Sequence, residues 1–215
     1  EPDFKMIKKD NGLRSDTPIE KLSKLKPAFD KKHGTLTAAN SSFLTDGSAV
    51  CLIMTESKAK ELGFTPKAEI VDYCFTGQRL EDELLLGPAY AMSKVLDQTK
   101  LSLNDIDVFE IHEAFAGQVL TNITCLADDD FCKVELQKEK PVGEIDINKV
   151  NKWGGSLSIG HPFGATGARL LTTAANRLIE ENGQYAMLSA CAAGAHGHAT
   201  VSYTHLTLPT NKAVE

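Results

Sequence analysis

The apolar residues of this chain follow two spacings, and each spacing predicts a different kind of element. Short runs rich in apolar and β-branched residues, which are typical of strands, occur at 49–54, 68–76, 106–111, 185–191 and 198–203. Apolar residues that recur every three or four positions, which are typical of helices, occur at 57–62, 88–98, 113–126 and 164–181. Strands and helices that alternate along a chain favour a layered α/β fold.

Local signals predict where several elements begin and end. Thr17 is a good N-cap and Glu20 stands where it can close a capping box, so a helix is predicted to begin here. Gly63 is placed to end the helix before it. The polar residues 34–48 are predicted to form a loop with turn signals. The charged residues 127–150 are expected to be an irregular excursion on the surface.

The composition indicates a globular protein and argues against a protein that binds nucleic acid. The chain has 215 residues, of which 42% are hydrophobic and 24% charged, and this is ordinary for a globular protein. A net charge of −6 argues against nucleic acid as a partner. The five cysteines are odd in number and form no CxxC pair, so free thiols in a reducing compartment are expected.

Two histidines stand in segments that can carry chemistry. His112 follows the predicted strand 106–111, and ligand sites in α/β proteins collect at the carboxyl ends of strands. A histidine that caps the next helix is the alternative. His161 lies in the glycine-rich run 151–167, where glycine allows a ligand close to the backbone. That run matches neither the dinucleotide fingerprint nor the Walker pattern, and a purely structural turn is its alternative.

A third segment places a thiol at the end of a strand. Cys191 is followed by a turn of small residues, and the backbone N–H groups of such a turn can face an oxyanion. The alternative is a cysteine that serves as a small buried hydrophobe. His196 and His198 raise the question of zinc, but the paired ligands typical of compact zinc sites are missing, so a metal is not expected.

Four runs in this order resemble the C-terminal half of the thiolases (acetyl-CoA acyltransferases), over residues 14–201. They are GTLTAANSSFLTDGSA at 34–49, HEAF at 112–115, NKWGGSLSIGHPFGATG at 151–167 and CAAG at 191–194. The resemblance implies a thiolase-like layered α/β fold. It also divides the chain into the end of a CoA-binding loop region at 1–45, the C-terminal thiolase domain at 46–201 and an atypical tail at 202–215 whose native origin is open.

The resemblance implies that the parent cleaves 3-ketoacyl-CoA with CoA in fatty-acid oxidation. His161 matches the histidine that activates a nucleophilic cysteine. Cys191 matches the cysteine that moves a proton on and off the acetyl carbon, and its polar turn is expected to lower its pKa. His112 stands where many thiolases carry Asn and orient a water in an oxyanion hole. The Ala193 N–H matches a second oxyanion donor, and Ser42 matches a serine that contacts the pantetheine arm of CoA.

The resemblance also implies partners and a location. Acyl-CoA and CoA are expected as substrates, with no further cofactor, and the full-length parent is expected to be a homodimer. His112 is typical of the branch found in trifunctional fatty-acid oxidation complexes. That branch implies a hydratase/dehydrogenase alpha subunit as partner and a mitochondrial location, associated with the inner membrane through the complex. The bacterial cytoplasm is the alternative location.

One departure from the family matters for activity. The nucleophilic cysteine of thiolases lies in their N-terminal half, and no cysteine here outside Cys191 lies in a matching motif. The chain by itself is therefore not expected to form the acyl-enzyme. A ketoacyl synthase or sterol-carrier-type thiolase, which shares the fold, and a non-catalytic CoA-binding or assembly domain are the alternative functions.

Overall fold

One mixed sheet of four strands organises the chain in the computed structural model, which describes residues 6, 8–12, 14 and 16–204. The strands are β1 (Glu69–Gly77), β2 (Val108–Ile111), β3 (Tyr185–Ala192) and β4 (His196–Tyr203). Their order across the sheet is β1-β4-β3-β2. β4 runs antiparallel to both of its neighbours, whereas β2 and β3 are parallel. The carboxyl ends of β2 and β3 therefore meet at the same edge of the sheet.

Helices cover both faces of this sheet. The described helices are α1 (Ile19–Leu22), α2 (Glu56–Leu62), α3 (Gly87–Thr99), α4 (Ala116–Ala127), α5 (Asp129–Val134), α6 (Ser156–Ile159) and α7 (Phe163–Glu180). α3 packs against β1, β3 and β4, and α7 packs against β2 and β3. Met187 on β3 belongs to the core under α3 and its neighbour Leu188 to the core under α7, as the alternation of a strand requires. The predicted layered α/β fold is confirmed.

A buried ion pair fastens α7 to β2. Arg177 of α7 is fully buried, and its Nη1 donates to Glu110 Oε1 at 2.7 Å and to the Phe109 carbonyl at 3.1 Å. Its Nη2 donates to the Lys149 carbonyl at 3.0 Å and its Nε to Glu181 at 2.8 Å. His112 directly follows β2, and His161 lies two residues before α7. The buried ion pair therefore fixes the two elements that lead to the candidate histidines.

Most predicted elements are confirmed, and the differences at helix ends have physical causes. The helix expected at Thr17 is a single turn that begins at Ile19, and its N-cap is Pro18, which offers no side-chain acceptor. The helix expected at 113–126 begins only at Ala116. Residues 113–115 stay outside the helix, because the loop 34–49 bonds to Ala114 and pairs with Phe115, which is extended.

The prediction of a strand at 49–54 is wrong. The structure assigns these residues to no strand, and Val50, Leu52 and Ile53 are exposed. Apolar and β-branched composition is typical of strands, but a strand also needs a partner for its backbone N–H and C=O groups. The composition is therefore strand-like while the pairing is missing within the part of the chain that the structure describes.

The charged stretch 127–150 is more ordered than expected. Asp128 caps α5 by accepting a hydrogen bond from the Phe131 N–H at 2.7 Å, and Asp129 and Asp130 place negative charge in the first turn. Cys132 within α5 is fully buried.

Ser202 and Tyr203 fall within the tail predicted at 202–215 but are part of β4, and the Thr204 N–H donates to the Gln184 carbonyl. Residues 205–215 lie outside the described residues. Within the described ranges, none of the helices has both the length and the apolar character needed to cross a membrane.

Candidate active site

The loop 34–49 draws two of the candidate segments together. The Ser42 N–H donates to the Ala114 carbonyl at 2.9 Å, next to the isolated bridge between Ser41 and Phe115. On the other side the His161 N–H donates to the Phe43 carbonyl at 2.9 Å. The segment after β2 and the turn before α7 therefore flank the same loop. This contact also keeps Phe115 extended and delays the start of α4.

Two candidate histidines lie against each other. His112 is the residue that follows β2, and His161 lies between α6 and α7. Their ring centroids are 4.2 Å apart with a tilt of 36°. His161 Nδ1 is hydrogen-bonded to Thr166 Oγ1 at 2.7 Å, and its ring also contacts Phe163. The structure thus brings together residues that are 49 positions apart.

The surroundings of both rings keep them uncharged at neutral pH. Burial lowers the pKa of His112 from 6.5 to about 4, with smaller contributions from His161 and from the positive charge of Arg169. Burial also lowers the pKa of His161, and Arg169 adds to the effect. A neutral imidazole has one nitrogen that accepts a proton and one that donates a hydrogen bond. Both rings are therefore in the form that acid–base and oxyanion chemistry requires.

The lowered pKa of His112 predicts a loss of stability in acid. Between pH 6.5 and about 4 the unfolded chain takes up a proton at His112 that the folded protein does not, so stability falls as the pH falls. The shift corresponds to about 3 kcal/mol across this window. We expect urea unfolding of His112→Asn to depend less on pH there than that of the native protein. The exposed His33→Asn is the matched control, and equal pH dependence of all three proteins would contradict the prediction.

A carboxylate and an amide hold the glycine-rich run against β2. Asn151 accepts a hydrogen bond from the Ile111 N–H and donates to the Ile111 carbonyl, both at 2.8 Å, and donates to Glu113 Oε1 at 2.6 Å. Glu113 Oε2 accepts from the Leu157 N–H at 3.0 Å. Asn151 has a positive φ of 46°, a conformation that Asn adopts more readily than most residues. These contacts fix the direction in which His112 leaves the strand.

Gly155 is required by this arrangement, and its replacement gives a second prediction. A Cβ at Gly155 would overlap the Glu113 carboxylate. Gly155→Ala must therefore displace Glu113 from its hydrogen bonds with Asn151 and Leu157. Overpacking of this kind typically costs about 1–3 kcal/mol. We expect lower stability by urea unfolding, whereas Gly167→Ala, with nothing within 4 Å of its Cβ, should be neutral or slightly stabilising. A Gly155→Ala protein as stable as Gly167→Ala would contradict the close contact between Gly155 and the Glu113 carboxylate.

Cys191 reaches the same edge of the sheet, but its environment differs from expectation. Ile111 pairs with Ser189 and the His112 N–H donates to the Ser189 carbonyl, so Cys191 lies one strand away from His112 and close to its level. The side chain is 7% exposed. Burial raises the pKa of the thiol to about 11. The prediction that the polar turn lowers this pKa is wrong, because removal of the sulfur from water outweighs the turn.

The turn after Cys191 is tight and partly exposed. Gly194 and Ala195 have positive φ values of 89° and 56°, and the Gln78 N–H donates to the Ala195 carbonyl at 2.8 Å. Ala193 is exposed at the start of this turn. His198 instead stacks on Phe75 with centroids 4.9 Å apart. No group of metal-ligating side chains occurs among the residues the structure describes.

The other four cysteines lie elsewhere. Cys51 Sγ donates to the Ala168 carbonyl at 3.3 Å, and Cys74 Sγ donates to that of Ala91 at 3.2 Å under α3. Cys125 and Cys132 lie together at the α4–α5 junction. All five thiols are free.

A groove of about 590 Å³ opens beside His161. It is lined by residues 45–49 of the loop and 162–165 at the start of α7. Ser42 is half-buried three residues before this lining. The groove therefore adjoins the turn that holds His161.

Sequence reasoning missed three side chains that contact or influence the histidine pair. Thr166 binds His161, Ser156 binds His112 at 3.0 Å, and Arg169 lies close enough to lower the pKa of both rings. All three stand within the glycine-rich run or the first turns of α7. A signal was available for Thr166 and Arg169, because they are polar residues on α7, the helix that follows His161.

Solved structures first define the class of this fold. A human mitochondrial 3-ketoacyl-CoA thiolase superimposes with a TM-score of 0.73 at 33% identity, covering 92% of this chain and 45% of that one. An acetyl-CoA acetyltransferase of Bacillus anthracis gives 0.76 at 37% identity, covering 93% and 48%. The layered sheet with its histidine pair at one edge therefore has the thiolase fold.

Family comparison then places the chain itself. Residues 64–203 match the model "Thiolase, C-terminal domain" and residues 1–57 match "Thiolase, N-terminal domain". A Caenorhabditis elegans protein named "Probable 3-ketoacyl-CoA thiolase" is 58% identical over 90% of this chain and 43% of its own length. The human "Trifunctional enzyme subunit beta, mitochondrial" is 53% identical over 91% and 41%. The chain belongs to the thiolase family, and it spans less than half the length of these relatives.

Proposed function

We propose that the protein is an acyltransferase that cleaves 3-ketoacyl-CoA with CoA to give acetyl-CoA and a shortened acyl-CoA. The observation that carries the proposal is the contact between the His112 and His161 rings beside the end of β3, where Cys191 lies. Relatives named 3-ketoacyl-CoA thiolase and trifunctional enzyme subunit beta support it. The acyl-enzyme itself requires a nucleophilic cysteine, which we assign to the N-terminal half of the family.

His161 is proposed as the base that activates the nucleophilic thiol. Its Nδ1 is engaged by Thr166 at 2.7 Å, and this contact leaves Nε2 for the substrate side. Because its pKa is lowered by burial, the ring stays unprotonated at neutral pH and can accept the proton of a thiol.

Cys191 is proposed as the acid that completes the cleavage. When the bond between the α- and β-carbons breaks, its electron pair stays on the α-carbon of the departing acetyl-CoA, and a proton must be added there. A thiol whose pKa is raised to about 11 by burial keeps its proton at neutral pH, and this is the form the step needs.

The two developing oxyanions need donors of their own. We propose that His112 supports one of them by orienting a water, and that the backbone N–H of Ala193, an exposed residue, supports the other. Ser42 and the groove beside His161 are proposed to take the pantetheine arm of CoA. No cofactor besides CoA as a substrate is proposed.

Assembly and location are proposed from the relatives and from the surface. Exposed apolar side chains before α2 and on β1 support a full-length homodimer: Val50, Leu52, Ile53, Ile70, Val71, Tyr73 and Phe75. The relative named "Trifunctional enzyme subunit beta, mitochondrial" supports a mitochondrial location and an alpha subunit as partner. We propose hydratase and dehydrogenase activities for that partner from the family resemblance.

A cleavage assay on the natural full-length protein tests the proposal. We expect consumption of 3-ketoacyl-CoA that depends on added CoA and yields acetyl-CoA, and a loss of about 10²–10⁴-fold in kcat for Cys191→Ala. Cys51→Ala, which removes a thiol outside the site, is the matched control. Decarboxylating condensation of malonyl thioesters without CoA-dependent cleavage would instead assign a ketoacyl synthase, and a Cys191→Ala enzyme with native kcat would overturn the proposed roles.

A further inference from the structure

Ser156 lies between Arg169 and His112. Its Oγ is 3.0 Å from His112 Nδ1 and 3.4 Å from Arg169 Nη2. Ser156 is fully buried at the first position of α6, and His112 is 4% exposed. The three groups therefore form one chain of contacts that water reaches poorly.

The chemistry of these groups fixes the direction of one hydrogen bond and favours one direction for the other. A guanidinium has only donors, so Ser156 Oγ must accept from Arg169. The positive charge disfavours a hydroxyl proton directed at it, and His112 Nδ1 is the one acceptor found for that proton among the described residues. In a neutral imidazole only one nitrogen carries a proton, and the hydrogen bond made by the other nitrogen decides which one it is. Nδ1 is thereby the acceptor.

We propose that Ser156 and Arg169 are positioning residues that hold His112 in the tautomer with its proton on Nε2. Nε2 makes no hydrogen bond with any residue in the described ranges, so its N–H is available to a water or an oxyanion. The use of this N–H in catalysis rests on the proposed thiolase function, whereas the tautomer itself rests on the contacts alone.

Two features of Arg169 strengthen the assignment. Its Nε and Nη1 are buried without a partner among the described residues, so the contact with Ser156 is the one hydrogen bond found for the guanidinium there. The acidic groups that act on it are Glu110 and Glu113, while His112, His161 and Ser156 face it from the side of the site. The cation is thus retained inside the fold, oriented toward Ser156.

Neutron diffraction from crystals of the natural full-length protein at neutral pD tests the tautomer without any variant. We expect deuterium on His112 Nε2 and on Ser156 Oγ directed at Nδ1. Deuterium on Nδ1, with the Ser156 deuteron turned elsewhere, would overturn the proposal. This result is independent of activity, so it stands or falls separately from the thiolase function.

Kinetics test whether Ser156 acts through His112. We expect Ser156→Ala to lower kcat with little change in KM, by at most the 10²–10³-fold or so that loss of one oxyanion donor costs. In a His112→Asn background the same substitution should change kcat by less than about twofold, because the ring it positions is gone. Ser158→Ala, whose hydroxyl bonds the Gly155 carbonyl, is the matched control. An equal fall in kcat in both backgrounds would assign Ser156 a merely structural role.

Discussion

Replacement of His161 by Asn should lower the kcat of CoA-dependent cleavage by about 10²–10⁴-fold, the usual contribution of a positioned base. Asn carries a polar atom where the imidazole has Nδ1, so it can keep the contact with Thr166 that is 2.7 Å long in the native protein. It has no group that can take a proton from a thiol at neutral pH. The variant therefore removes the base while it preserves the fold of the turn.

Two controls separate this loss from misfolding. The thermal midpoint of His161→Asn should stay close to that of the native protein, and His33→Asn, at an exposed histidine, should keep native kcat. The acid limb of kcat/KM in the native protein should lie below pH 6.5, because burial lowers the pKa of His161. A His161→Asn enzyme within twofold of native kcat would remove His161 from the mechanism.

Replacement of Arg177 by Met should lower the free energy of unfolding by about 3–5 kcal/mol, the usual cost of breaking a buried ion pair. Glu110 would lose the charge partner that lies 2.7 Å away while it remains fully buried. The loss should be read by urea unfolding of the full-length protein at neutral pH.

The pH dependence of this loss has a defined sign. Burial already raises the pKa of Glu110, and removal of the Arg177 charge raises it further. The folded variant then holds a proton that the unfolded chain releases above its ordinary pKa of 4.5, so the destabilisation grows as the pH rises. The double variant Glu110→Gln/Arg177→Met should recover part of the loss. A single variant with native stability, or a deficit that shrinks toward neutral pH, would contradict the account of α7 and β2.

The fold was largely predictable because most elements carry their own local signal. The spacing of apolar residues in α3 and α7 and the continuous apolar run in β3 are each sufficient to predict the element. Residues 49–54 failed because strand composition does not supply a pairing partner. The late start of α4 also escaped prediction, since it depends on the contact of Ser42 with Ala114, which joins residues 72 positions apart.

The candidate site was predictable in its residue types but not in its electrostatics. The segments around His112 and His161 stood out by their composition, and the structure places the two rings in contact. The pKa of Cys191 was expected to fall, and burial raises it instead. Burial of one side chain depends on the packing of the whole sheet, so no run of neighbouring residues reports it. Ser156 and Arg169 were missed for the same reason.

The central claim is that Cys191 moves a proton at the α-carbon of an acetyl group held beside His112 and His161. Incubation of the natural full-length protein with acetyl-CoA in deuterium oxide, followed by mass spectrometry of the acetyl group, tests it directly. We predict that deuterium enters the methyl group with the native protein and that Cys191→Ala abolishes this exchange. Exchange at the native rate in Cys191→Ala would contradict the claim.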